Sequence, residues 1–257
     1  MNFGVSTSCF YPDLLENSAK LIRSMNVPFT EVFFNSFSEV TKDYLKNLKS
    51  VLEDTKILSV HPFSSGFETF MLFSDYERRF EDGLRFAQTY FEAMNTLGAK
   101  IFVLHGDRKE SRHSDEHYFE RYQRLFKEGQ KEGICVAQEN VCRCRSRDVD
   151  FIKNMKAALK DEVAFVLDLK QATRSDIDYK DVLSAMGEKI VHLHLNDCDE
   201  QNDCLLPGKG NRDFKELFEL IKNNGYKGSA VIEVYRQNFG EYDELIQSLK
   251  YLNDVSK

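Results

Sequence analysis

No stretch of this sequence approaches the roughly 18 uninterrupted apolar residues that a membrane-crossing helix requires, and the opening MNFGVSTSCF carries neither a basic segment nor a sustained apolar one. A leader peptide and a membrane anchor are therefore not expected, and the cytoplasm is the expected compartment. Excess positive charge is missing as well. The formal net charge is −7 and the isoelectric point is near 5.5, so no overall basic field draws in a phosphate backbone, and nucleic acid is disfavoured as a partner. The six cysteines, Cys9, Cys135, Cys142, Cys144, Cys198 and Cys204, are too few and too scattered for a disulfide framework, and reduced thiols are expected. Cys142 and Cys144 form a lone CRCR pair with no second pair at zinc-finger spacing, which favours a structural role. No linker or low-complexity segment interrupts the chain. Residues 1–257 are accordingly read as one domain, a length that a single α/β barrel commonly fills.

What is present is a steady alternation. Eight short β-rich runs, NFGVSTS, FTEVFFN, KILSVHP, KIFVLHG, ICVAQEN, VAFVLDL, IVHLHLND and SAVIEVYR, are separated by amphipathic helical patterns. In LKNLKSVLED, for example, Leu45, Leu48, Val51 and Leu52 recur at helical spacing and leave a charged outer face. Four of the helical patterns end at Gly98, Gly133, Gly187 and Gly225, where a left-handed residue can close the last turn. Eight strand–helix pairs predict a (β/α)8 barrel. Three strand-to-helix connections exceed what packing needs: PFSSGFETFMLFSD after His61, GDRKESRHSDEH after His105, and CDEQNDCLLPGKGNRD after Asp197. Loops of this length usually shape or cover a site. Phe63, Phe67, Phe70 and Phe73 in the first could form an apolar lid or pack onto the barrel rim, while His113 and His117 in the second read as solvated members of a charged loop.

Six metal-ligand side chains stand at or near the downstream ends of these runs: His61, His105, Glu139, Asp168, His194 and Glu233, spaced about 26 to 44 residues apart. In a parallel barrel those ends share one face, so the six should converge. Glu139, Asp168, His194 and Glu233 offer three carboxylates and an imidazole. This oxygen-rich set suits Mn²⁺, Mg²⁺, Co²⁺ or Zn²⁺ and leaves positions open for substrate oxygens. A divalent ion there would polarise a carbonyl, and Glu139 and Glu233 are the natural pair to move a proton at the neighbouring carbon. Lys170, Lys209, Arg212 and Arg236 are candidate seats for an anionic substrate group, or counter-charges for the carboxylates. His192, two residues before His194, faces the same side of its strand and should lie one layer deeper.

The segments AQEN, LDLKQ, HLHLND, LPGKGNRDF and VIEVYR resemble the xylose isomerase-like TIM barrels, a superfamily of sugar isomerases, sugar epimerases and endonuclease IV-type nucleases. The resemblance spans nearly the whole chain, and H-L-N-D followed by P-G-K-G-N is its most specific part. It implies a metal held by Glu139, Asp168, His194 and Glu233, with the two glutamates as acid and base, a small carbohydrate as substrate and association into a homo-oligomer. From the nuclease branch it implies a second metal on His61 and His105 with Glu139; in sugar-active relatives such residues line the pocket. The chain also departs from the family. Gln171 stands where a histidine often follows the strand-6 aspartate and at most orients a hydroxyl. Glu200 stands where ketose 3-epimerases tend to carry arginine, and QNDCLLPG lacks the Asp-x-His pair of a three-metal nuclease. A metal-dependent sugar or sugar-phosphate isomerase or epimerase working through an enediolate is the expected activity. A phosphodiesterase and a non-catalytic sugar-binding barrel are the alternatives.

Overall fold

All eight β-rich runs form strands, and in the computed structural model, which describes residues 1–257, they close into a parallel barrel in sequence order. The strands are β1 (Asn2–Ser6), β2 (Phe29–Phe33), β3 (Lys56–His61), β4 (Ile101–Leu104), β5 (Cys135–Glu139), β6 (Phe165–Asp168), β7 (Ile190–Leu195) and β8 (Ser229–Ile232). Closure is made by β1 against β8, with Phe3 opposite Ala230 and Val5 opposite Ile232. A closed barrel leaves no unpaired edge, which suits strands as apolar on both faces as Phe165–Asp168, every residue of which is buried. The expected helices also form: α1 (Leu15–Ser24), α2 (Lys42–Val51), α4 (Glu77–Leu97), α5 (Asp115–Lys131), α6 (Val149–Leu159), α8 (Tyr179–Met186), α9 (Phe214–Asn223) and α10 (Asp243–Val255). Gly98, Gly133, Gly187 and Gly225 all adopt positive φ, as expected of helix-ending residues. All six cysteines are free thiols, and no helix is long and apolar enough to cross a membrane.

Two further helices were not expected. The connection after β3 folds into α3 (Ser65–Met71), and the residues following Asp168 form α7 (Leu169–Arg174). The four phenylalanines of the first connection do not act alike. Phe73 is buried and stacks on Tyr118, Phe63 packs against the core, and Phe67 and Phe70 are exposed. The residue of α3 that points inward is instead Glu68, whose Oε2 accepts the Gly106 N–H at 2.6 Å. His113 and His117 also depart from expectation. Both are only partly exposed and lie beside one another, ring centroids 4.7 Å apart, with hydrogen bonds to Asp107 and to the Phe73 carbonyl. The second connection is shorter than expected, because Ser114 caps α5 by accepting from His117 N.

The long connection after β7 is built around Asp197. Its carboxylate accepts from the backbone N–H groups of Cys198, Gly208, Gly210 and Arg212, folding P-G-K-G-N back onto the strand end. Gly210 passes so close that a Cβ there would lie 2.4 Å from the Cys198 carbonyl oxygen.

Candidate metal centre

Glu139 and Asp168 are the last residues of β5 and β6, His194 is the penultimate residue of β7, and Glu233 directly follows β8. The parallel register sets Asp168 opposite His194 and Leu195 opposite Ile232, so all four side chains reach one level of the barrel mouth. His194 Nδ1 lies 3.5 Å from Glu139 Oε1, 3.8 Å from Asp168 Oδ2 and 3.3 Å from Glu233 Oε2. Donors bonded to one ion at about 2.1 Å stand roughly 3.0–3.5 Å apart, so a slight contraction would bring this set onto a divalent cation. Asp168 Oδ2 and His194 Nδ1 are buried without a hydrogen-bond partner, Asp168 Oδ2 having only the Lys170 ammonium in ion-pair reach at 3.3 Å. Orphaned donors of this kind are costly unless something completes them, and the residues present fit a metal ion.

Each of the four side chains is aimed by neighbours. Asp168 Oδ1 accepts from Lys170 N, Gln171 N and Asn196 Nδ2, which caps α7 and leaves Oδ2 facing the centre. Asn140 bonds both the carbonyl and the N–H of Asp168, tying β5 to β6. His194 Nε2 donates to Glu31 Oε2 at 3.1 Å, so Nδ1 is the nitrogen presented to the carboxylates. Glu31, in β2, is fully buried and also accepts from Ser6 Oγ and Ser59 Oγ. Ser59 spends its one proton on Glu31 and so accepts from His192 Nε2, which lies beneath His194 at the layer expected for it. Glu31 was not among the sequence candidates. The available signal was a carboxylate inside a β-rich run, at a position a barrel turns inward.

The electrostatics match this arrangement. Burial alone would lower the pKa of His194, but Glu31 and Glu233 raise it well above the usual imidazole range. Nδ1 is thus a seat where negative charge holds a proton or would hold a divalent cation. Burial opposes ionisation of Glu139, yet the neighbouring imidazoles of His105, His194 and His61 keep it well below the ordinary carboxylate range. Glu233 is likewise held low against burial, chiefly by Lys170 and then by His194. Asp168 is raised, because burial and its two acidic neighbours outweigh Lys170.

Lys170 is the candidate cation that reaches the centre. Its buried ammonium stands 2.8 Å from Glu233 Oε2 and 3.3 Å from Asp168 Oδ2. Gln171 is buried beside it, with its side-chain oxygen accepting from Cys142 N. The other three candidate cations have partners away from these carboxylates. Arg236 donates to the carbonyls of Phe239 and Gly240, Arg212 donates to Thr173 and Cys198, and Lys209 is half exposed, 3.8 Å from Glu244. Only Arg236 is held by loop carbonyls, and Arg212 is held by side chains, preferences that residue type alone does not reveal.

His61 and His105 converge with Glu139, as the strand ends imply: the two Nε2 atoms are 2.7 Å apart, and His105 Nε2 is 3.1 Å from Glu139 Oε2. Arg143 Nη2 lies 3.1 Å from His105 Nδ1, and a guanidinium only donates, so the His105 proton is on Nε2. His61 Nδ1 donates to the Pro62 carbonyl, which leaves its Nε2 to accept from His105. The pair is therefore internally hydrogen-bonded, and Phe33 stacks on His61 at 4.5 Å to form a flat wall.

A family model described as xylose isomerase-like TIM barrel matches residues 19–255. The solved structure of a D-tagatose 3-epimerase-like protein superposes with a TM-score of 0.79 at 20% identity, covering 99% of this chain and 97% of that one. An IolI protein with a bound zinc atom gives 0.77 at 18% identity, over 100% and 98% of the two chains. By sequence, the D-psicose 3-epimerase of Enterocloster bolteae is 29% identical over 87 residues, 34% of this chain and 27% of that protein. The chain thus matches only about a quarter of the length of its curated relatives, 26% for the mycobacterial ones.

Proposed function

Because this chain belongs to the xylose isomerase-like TIM barrel family, we propose that it is a metal-dependent isomerase or epimerase of a small carbohydrate, moving a proton at a carbon beside a carbonyl. The observation that carries this reading is His194 Nδ1, buried without a hydrogen-bond partner and within 3.8 Å of carboxylate oxygens of Glu139, Asp168 and Glu233. One divalent ion, Mn²⁺, Zn²⁺, Mg²⁺ or Co²⁺, would be held by these four residues; when bound it would polarise the carbonyl and offset the negative charge of an enediolate.

The protein's own groups do the rest. Glu139 and Glu233 approach from opposite neighbours of β6 and β7, and in this reading one takes the carbon-bound proton while the other returns it. Lys170 holds Glu233 in place and is near enough to donate to a substrate oxygen. His61 and His105, bonded to one another, form the facing wall, and a sugar C–H face can lie against Phe33. Gln171 adds an amide at the same rim. A second ion on His61, His105 and Glu139 would have to displace the His105 proton that Arg143 fixes on Nε2, so the geometry favours a single ion and disfavours two-metal phosphodiester cleavage.

The test is solvent-deuterium uptake followed by NMR, with metal-loaded protein in D₂O and a panel of ketoses, keto-sugar phosphates and keto-inositols, each with a chelator control. Metal-dependent uptake beside the carbonyl is expected, lost on Glu233→Gln by about 10² or more with the fold retained. No uptake across the panel with metal bound would overturn the catalytic reading and leave a sugar-binding barrel.

A further inference from the structure

We propose that Asp75, His113 and His117 form a second metal site on the connections above the barrel mouth, taking a d-block divalent cation such as Zn²⁺. His113 Nδ1 lies 3.1 Å from Asp107 Oδ2 and 3.0 Å from Ser111 Oγ; the buried Asp107 carboxylate, which also accepts from Arg108 N, can only accept, so the proton is on Nδ1. His117 Nε2 donates to the Phe73 carbonyl at 3.1 Å. Both outer ring nitrogens are thus occupied as N–H donors, and the inner nitrogens, His113 Nε2 and His117 Nδ1, carry lone pairs. A carboxylate or carbonyl behind a metal-binding imidazole has this same effect, setting the tautomer and turning the free nitrogen to the ion.

The two lone pairs face one carboxylate. His113 Nε2 is 3.3 Å from Asp75 Oδ2, and His117 Nδ1 is 3.7 Å from Asp75 Oδ1. The second distance is too long for a hydrogen bond, and the three donor atoms lie within 4.8 Å of one another. Ligands on a tetrahedral ion with bonds of about 2.0–2.1 Å stand roughly 3.3 Å apart, so little movement is needed to close on a cation. Asp75 is 78% exposed and shares its depression with Arg79 and Arg108, yet it pairs with neither guanidinium. The spacing H-S-D-E-H is one that zinc ligands use, and the Ser114 cap on His117 N sets the turn that brings both rings to one side.

Two imidazoles and one carboxylate make a softer donor set than the three carboxylates and one imidazole of the barrel, so the two sites should sort metals differently. A fourth position stays open to water. Asp75 lies between α3 and α4, whereas His113 and His117 belong to the connection after β4 and the first turn of α5. An ion there would staple two of the segments that roof the barrel mouth.

Untagged, metal-stripped protein titrated with Co²⁺ and read by visible absorption tests this, with Zn²⁺ as competitor. The wild type should take up two equivalents in the micromolar range, one with the stronger bands of a four-coordinate nitrogen-rich site. Asp75→Asn and His117→Ala should each lose that equivalent and keep the other, and His194→Ala should do the reverse. Asp75 is a surface side chain, so its substitution leaves folding intact. The proposal is overturned if Asp75→Asn and His117→Ala bind as many equivalents as the wild type, or if the second equivalent enters the wild type only at millimolar metal.

Discussion

Glu31 is fully buried behind His194, yet it decides which nitrogen His194 presents. Replacing it by glutamine keeps the volume and removes the negative charge behind the imidazole. Partners of this kind are worth about 10- to 100-fold in metal affinity. Glu31→Gln should therefore weaken metal binding by that factor in calorimetry; unchanged affinity would show that His194 needs no partner. Lys170 poses the opposite case. It is a tethered cation lying across two of the candidate ligands, so in the metal-free chain it neutralises charge that would otherwise be buried and unpaired. Lys170→Met should cost the metal-free protein about 3–5 kcal/mol, the usual loss when one partner of a buried pair is removed. Saturating metal should restore most of it, and thermal denaturation with and without chelator separates the two states. A variant equally destabilised in both would mean that Lys170 and the ion do not share the same carboxylates.

Among the elements, α3 has the most exposed consequence, because it docks through a carboxyl group. Burial raises the Glu68 pKa to about 8, with the Gly106 N–H only partly opposing it. The folded chain thus holds a proton that the unfolded chain has already lost near pH 4.3. Stability from this group is complete below that value and falls as the pH rises toward 8. Glu68→Gln cannot titrate. The wild type should lose melting temperature relative to Glu68→Gln between pH 5 and 8, as a series of melts at graded pH would show; parallel curves would place the Glu68 proton elsewhere. α3 and α7 were also the two helices that periodicity did not show. Each is a turn or two long and is held from outside, α3 by Glu68 on β4's exit and α7 by the Asp168 cap, so neither needs a repeating apolar stripe.

For the whole molecule, binding at the barrel mouth is coupled to protons. In the metal-free protein the acidic surroundings keep a proton on His194, and an ion must replace it. Below the raised pKa of His194, affinity should tighten by about tenfold per pH unit, and calorimetry in buffers of different ionisation enthalpy should register one proton released. At an ion concentration of about 100 times Kd, the bound state gains roughly 2.7 kcal/mol, so a chelator should lower the melting temperature by several degrees. A pH-independent affinity would exclude His194 as a ligand. The barrel itself was legible in the sequence because strand and helix periods are local, and the convergence of Glu139, Asp168, His194 and Glu233 was legible because strand ends in a parallel barrel share a face. Glu31, the two tethered arginines and the His113–His117 pair were not. Their partners depend on which neighbour lies across a strand or a connection: the H-S-D-E-H spacing is visible in the chain, but Asp75 beside it is not, nor is His194 beside Glu31.

The anchor behind His194 also bears on the order of assembly. Glu139, Asp168, His194 and Glu233 come from the last four strands, but Glu31 comes from β2 and its serine partners from β1 and β3. A fragment holding only the second half of the chain would carry every ligand and still leave His194 unaimed. An ion would therefore bind more tightly once β2 faces β7, which makes it a latch on the finished barrel rather than a nucleus for building one.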